Sequence, residues 1–225
     1  MMKRMLFPLL LGVSGAAVLI ALGVWQVQRL EWKEGVLSEI DARINASPVA
    51  VPDAPDAERD RFLPVTASGQ FAEEEIHVLV STRQEGAGFR IISPFETEAG
   101  RRFLVDRGFV KDELKGEARP SGEAAVTGNL HWPDEIDRFT PEPDLGANIW
   151  FARDVPALAE ALGTEPVLIV ARASSLEDTG IRPLPIDSSG IPNDHLEYAV
   201  TWFGLAAVWI AMTALLLWRI RQGRS

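Results

Sequence analysis

The chain contains three histidines and no cysteine. Disulfides, thiolate nucleophiles and cysteine metal sites are therefore excluded, and imidazole and carboxylate remain as the side chains able to bind a metal or move a proton. His77, His131 and His195 lie far apart in sequence and none has metal-ligand spacing, so a preformed zinc site is not expected. His77 falls in a strand pattern and reads as an ordinary hydrogen-bonded histidine. His195 differs. The segment Pro192-Asn-Asp-His-Leu-Glu197 reads as a helix start, with Asp194 as N-cap and Glu197 completing a capping box. At 100° per residue, His195, Tyr198, Trp202, Ala206 and Trp209 fall on one narrow face, an imidazole above an aromatic stripe. The positive helix end favours the neutral imidazole, the form that ligates metals. Spacing alone leaves two readings, a metal ligand or a plain interfacial histidine, and favours the second because aromatic belts are common.

A second group, Trp25, Arg29 and Trp32, recurs at i, i+4 and i+7. An arginine there can stack on an indole while keeping its charge in water, and the spacing by itself favours an interfacial anchor. Signatures of catalysis are missing. Gly86-Ala-Gly88 lacks the third glycine and the helix of a dinucleotide fingerprint, and no phosphate loop or Gly-x-Ser-x-Gly elbow occurs. Glu73-Glu74-Glu75 reads as solvated surface. The chain is not expected to be an enzyme.

The elements that position these residues begin with two apolar runs. Met5 to Gln28 carries no charge, and neither does Tyr198 to Trp218. Each is long enough to cross a bilayer, and the second ends in Trp218-Arg219, an aromatic and a cation at a membrane boundary. A cleaved signal peptide would need its cut near Ser14 to Ala17, which would bisect the first run, so retention is expected. The divisions expected are a cytoplasmic N-terminus at 1–5, a first span at 6–26, an extracytoplasmic domain at 27–194, a second span at 195–218 and a cytoplasmic C-terminus at 219–225. Five basic residues flank the spans on their terminal sides, against Arg29, Lys33, Arg43 and Arg182 on the inner-loop side, a bias toward cytoplasmic termini. No acid-poor transit segment precedes the first span, which points to a bacterial inner membrane with the main domain periplasmic.

The net charge of −10 hides a partition. Lys3, Arg4, Arg219, Arg221 and Arg224 lie in the terminal segments; removing those five from 22 basic residues leaves 17 against 32 acidic ones. So acidic a middle repels nucleic acid and anionic lipid headgroups. Ser47 to Ala57 is a Pro-Ala-Asp stretch that reads as a linker without a regular element. Strand patterns follow at Pro64–Phe71, Ile76–Thr82, Gly88–Phe95, Arg102–Val110, Ala124–Trp132 and Pro166–Ala173. Gly-containing turns separate several of them, suggesting a mainly antiparallel sheet curled into a barrel or sandwich. One short helix interrupts it, with Asp154 as N-cap, Pro156 in the first turn, Leu158 and Leu162 on its apolar face and Gly163 as its stop. No heptad seam is evident. The fold class is an α+β membrane protein, two terminal helices flanking a mainly antiparallel β domain.

Several segments, in order, resemble the Surfeit locus protein 1 (Shy-one) family. They are Gly23-x-Trp25-Gln26-x-x-Arg29-x-x-Trp32-Lys33, Pro64-Val65 with Gly69-x-Phe71, Gly88-Phe89 with Pro94-Phe95, and Leu104-Val-Asp-Arg-Gly-Phe-Val110. Val126-x-Gly128, Phe139-x-Pro141, Trp150-Phe151-x-Arg153-Asp154 and Asn193-x-His195-Leu196-x-Tyr198-Ala199-x-Thr201-Trp202-Phe203-x-Leu205 complete the set. Leu63, Asp106 and His131 stand where the family commonly has arginine, asparagine and arginine. The resemblance implies an assembly factor for cytochrome c oxidase that binds or hands over haem a to the catalytic subunit, with haem a synthase and the lipid bilayer as further partners. It singles out His195 as haem-iron ligand with Tyr198 and Trp202 beside the macrocycle, and Trp25, Gln26, Arg29 and Trp32 as interface or packing residues. The alternative it leaves is a structural clamp on an oxidase intermediate that binds no haem, packing through Trp25, Arg29, Trp32 and the Gly204, Ala207, Ala211 face.

Overall fold

The computed structural model describes residues 2–82, 85–178 and 180–222; Arg224 of the basic tail lies outside them. The elements in order are α1 (Met2–Ile44), β1 (Val49–Ala50), β2 (Pro64–Phe71), β3 (Ile76–Thr82), β4 (Gly86–Thr97), β5 (Arg102–Lys111), β6 (Gly122–His131), β7 (Ile149–Trp150), α2 (Val155–Leu162), β8 (Leu168–Ser174) and α3 (His195–Arg221). They divide into a helical unit, Met1–Glu39 with Ser188–Ser225, and a β unit, Ile40–Asp187.

In the helical unit, α1 and α3 are long and apolar enough to cross a membrane. Large apolar side chains such as Phe7, Leu10, Val18, Val200, Val208 and Met212 are exposed. A surface so apolar is unfavourable in water and suits lipid, which fits a membrane protein. The helices pack through small residues. A β-carbon added to Gly12 would lie 2.1 Å from Thr213 Cγ2, one on Gly15 would lie 2.5 Å from Trp209 Nε1, and one on Gly23 would lie 2.7 Å from Phe203 Cε1. Trp209 Nε1 donates to the Gly12 carbonyl at 3.0 Å. With residue 12 meeting 213 and residue 26 meeting 195, the pair is antiparallel.

Two expectations for this unit change. On α3 the inward positions are His195, Ala199, Trp202, Ala206, Trp209 and Thr213, a 3-4 spacing that is a heptad seam written in Ala, Trp and Thr rather than Leu. The Gly204, Ala207, Ala211 face, expected to pack on another protein or on the first helix, does not meet α1: Ala207 and Ala211 are exposed and a β-carbon on Gly204 meets nothing within 4 Å. The capping box also fails. Asp194 precedes the helix with φ −91° and ψ 9° and its side chain makes no cap hydrogen bond, because a capping carboxylate reaches the first-turn amides from an extended backbone.

The β unit keeps the six expected strands, each within two residues of its expected ends. β2 pairs along its whole length with β6 and, on its other edge, with β1 and then β4. Since β4 pairs with β5, β5 with β8 and β8 with β6, the hydrogen bonds close a five-strand ring, β2-β4-β5-β8-β6. Within the ring only β5 and β8 run parallel, so the fold is a mainly antiparallel Greek-key barrel. Val65, Phe71, Phe95, Phe103, Val105, Val126, Leu130 and Ile169 form one buried cluster. Successive residues on β5 alternate sides, so Leu104 joins a second cluster with Ile92, Trp150, Val155 and Leu158, where α2 covers the sheet. Helix α2 starts and stops as its residues require: the Asp154 side chain accepts from Ala157 N, and Gly163 ends it at φ 62°.

Two details differ from the sequence reading. Val49–Ala50, inside the supposed linker, pairs in parallel with Val65 and Thr66, and Ile149–Trp150 pairs in parallel with β3. Strands of two residues carry too little pattern to be seen in sequence. The barrel closes where Gly69 faces Thr97, and a β-carbon on Gly69 would sit 2.1 Å from the Glu96 carbonyl oxygen. The Gly69→Ala change should therefore destabilise the β unit by about 1–3 kcal/mol, because backbone, not a side chain, must move. Thermal unfolding of the full chain against Gly116→Ala, where an added methyl meets nothing within 4 Å, checks this. Equal melting temperatures would contradict it.

Candidate functional site

His195 is the first residue of α3, half-buried, and Gln26 lies on the packing face of α1, 8% exposed. His195 Nδ1 and Gln26 Oε1 are 2.8 Å apart. An amide oxygen can only accept, so Nδ1 is the donor of this pair and Nε2 takes no part in it. The ring is thus held through the nitrogen that a metal would not use. Trp202 lies two turns along the same face, half-buried, whereas Tyr198 sits at its margin and is 55% exposed.

The structure divides the other predicted group. Gln26 belongs to the helix pair, while Trp25 and Trp32 are exposed on a separate stripe about 100° away. The Arg29 guanidinium lies 3.9 Å from the centre of the Trp32 ring, so the expected stacking holds for Trp32. Such an amphipathic stripe suits a membrane interface or a protein surface.

Sequence reading missed a buried ion network in the β unit. Asp106 is fully buried; its Oδ2 accepts from Arg90 Nη1 at 2.7 Å and from Arg153 Nη1 at 3.3 Å. Arg153 also binds Glu135, through Nε at 3.1 Å and its backbone amide at 2.9 Å. Two cations thus meet two carboxylates. Burial would raise the Glu135 pKa, but the Arg153 bonds outweigh it and hold the carboxyl below its usual range. A bulge where Ile91 and Ile92 face Gly108 and Asp106 leaves Arg107 unpaired on β5. Arg107, itself buried, reaches the Pro120 carbonyl, pairs with Asp178 and stacks over Phe71. The available signal was Asp-Arg inside the apolar run Leu104 to Val110, where unpaired charges would be costly.

The remaining histidines are structural. His77 Nε2 lies 2.6 Å from Glu75 Oε1, as an ordinary hydrogen-bonded histidine should. Glu75 also pairs with Arg119, so it is not solvated surface as expected but a half-buried bridge. Its strand-edge position next to Ile76 draws it inward, while Glu73 and Glu74 stay exposed. His131 stacks on Phe62 at 5.5 Å. Burial, reinforced by the nearby positive charge of Arg153, pushes its pKa down to about 4. Among the described residues no group of three or more His, Asp or Glu could hold a metal ion.

The His131 shift gives a pH prediction. Its folded pKa is depressed, so the unfolded chain takes up the proton first, and stability falls as pH drops from about 6.5 to about 4. The loss is on the order of 2–3 kcal/mol. In His131→Gln this part of the slope should vanish. Unfolding of both full-length proteins at pH 7 and pH 4 measures it, and parallel losses would contradict the assignment.

Comparison with known proteins adds a family. The model of the SURF1 family matches residues 13–207. Surfeit locus protein 1 of Xenopus tropicalis is 32% identical over 213 residues, covering 83% of this chain and 68% of the relative. The Homo sapiens protein of that name is 32% identical over 212 residues, covering 83% and 69%. The SURF1-like protein of Drosophila melanogaster is 29% identical over 218 residues, covering 85% and 71%. The match takes in α1 from Val13 on, all eight strands, α2 and the first half of α3, and with it Gln26 and His195; the chain belongs to the SURF1 family.

Proposed function

We propose that the protein is an assembly factor for cytochrome c oxidase that holds haem a on its way to the catalytic subunit. Both termini would be cytoplasmic and the β unit periplasmic, in a bacterial inner membrane. The observation that carries the reading is His195, fixed through Nδ1 at the start of an apolar helix, in a chain of this family. The residues fit the group. His195, with Nδ1 donating to Gln26, would hold the iron through Nε2, and Trp202 and Tyr198 would offer flat apolar surfaces beside it. Haem a also carries a long isoprenoid tail, for which the exposed apolar flanks of α1 and α3 are a suitable solvent. The bound group would be cargo, so no catalysis is asked of the chain. A single imidazole suits a carrier, because the recipient can compete for the iron with two histidines.

The clamp reading draws on a different observation. Ile136, Phe139 and Leu145 are exposed on the segment between β6 and β7, which is braced by Glu135 to Arg153 and by the paired Asp144 and Ile149 backbones. A preorganised apolar surface of that kind suits a protein partner.

Deleting the protein should lower the amount of assembled, haem-replete oxidase while subunit I is still made. Oxidase activity and haem a per membrane, measured beside an immunoblot of subunit I, test this. Normal activity and normal complex abundance across growth conditions would overturn the assignment.

A further inference from the structure

We infer that Gln26 is a positioning residue for His195: its amide oxygen selects the Nδ1–H tautomer and so aims the Nε2 lone pair at the haem iron. This rests on the haem reading above. A histidine side chain free in water prefers its proton on Nε2, the tautomer that cannot ligate through that atom. The 2.8 Å contact to Gln26 Oε1 reverses the preference, because that oxygen requires a donor on Nδ1.

The surroundings of Gln26 separate this role from simple helix packing. It is the polar one among the buried residues of that face, beside Gly12, Ala16 and Gly23, in a helix with no charged residue from Met5 to Gln28. Burying an amide there is unfavourable unless it is hydrogen-bonded, whereas leucine would pack without that cost. Gly23, one turn before it, lets the helices approach closely enough for the amide to reach His195. A plain clasp between helices would work equally with the amide turned the other way and Nδ1 as acceptor; a ligand through Nε2 requires Nδ1 as the donor. The amide also differs from a carboxylate in the same place. A carboxylate would push electron density into the ring and strengthen the iron bond, while the neutral amide orients the ring and leaves the bond weak enough for handover.

The experiment uses the full chain in lipid nanodiscs, labelled with ¹⁵N-histidine and purified first without haem. The His195→Ala variant identifies the His195 signals among the three histidines. The parent should show the Nδ1–H tautomer, and Gln26→Leu should shift His195 toward Nε2–H. Haem a added to the same samples should bind Gln26→Leu at least about 10-fold more weakly than the parent. Gln26→Glu should keep the Nδ1–H form and release haem more slowly than the parent, and it carries the test if Gln26→Leu fails to accumulate. A parent His195 in the Nε2–H form, or a Gln26→Leu variant with unchanged tautomer and affinity, would overturn the inference. A parent with the Nδ1–H form that binds no haem a would instead remove the haem reading and the purpose assigned to the pair.

Discussion

Replacing Asp106 by alanine is expected to destabilise the β unit by about 3–5 kcal/mol, as much as truncating a core phenylalanine. The carboxylate is fully buried and holds both Arg90 and Arg153. Alanine would leave two guanidinium groups beside an apolar wall of Ile92, Leu104 and Leu158, with only Glu135 to balance Arg153. Because Arg153 directly precedes the Asp154 cap of α2, its displacement would loosen the helix as well. Asp106→Asn should cost much less, since the amide oxygen can still accept from Arg90 and Glu135 still pairs with Arg153. Chemical denaturation of the two variants and the parent gives the comparison. A loss below about 1 kcal/mol for the alanine variant would mean that the ion network is not a brace.

What the sequence made legible follows from what each interaction leaves behind as pattern. Alternating apolar residues and turn glycines located six strands, and Asp154, Pro156 and Gly163 located α2, because those signals are local. The glycines at 69, 88, 108 and 128, singled out within motifs, prove to be close approaches: at each, an added β-carbon would lie 2.1–2.3 Å from a backbone oxygen. Residue type announced them; the paired strands explain three of them, and the Arg182 segment beside β5 explains Gly108. The β2 to β4 seam that closes the ring could not be read, since it joins two edges by three residue pairs. Long-range pairs were equally invisible. Gln26 and His195 are 169 residues apart and Asp106 and Arg153 are 47 apart, and nothing local says which partner each takes. The capping box at Asp194 failed for the opposite reason. Its residue types were right, but the backbone there is not extended.

The central claim, that His195 is the haem ligand, also predicts the largest functional change. In His195→Ala the ring and its Nε2 are gone, while α3 should persist, since alanine favours helix and Asp194 makes no cap bond to lose. Gln26 is left buried without its partner, at a cost of about 1–3 kcal/mol, which a long apolar helix pair held by Gly12, Gly15 and Gly23 contacts should tolerate. His131→Ala is the control, because that ring stacks on Phe62 in the β unit. The measurement is haem per polypeptide for the parent and the two variants, purified from membranes of a strain that makes haem a. Equal occupancy in the parent and His131→Ala, with His195→Ala at least about 10-fold lower, is the expected result. Equal occupancy in all three would contradict the claim and leave the clamp without haem as the better account.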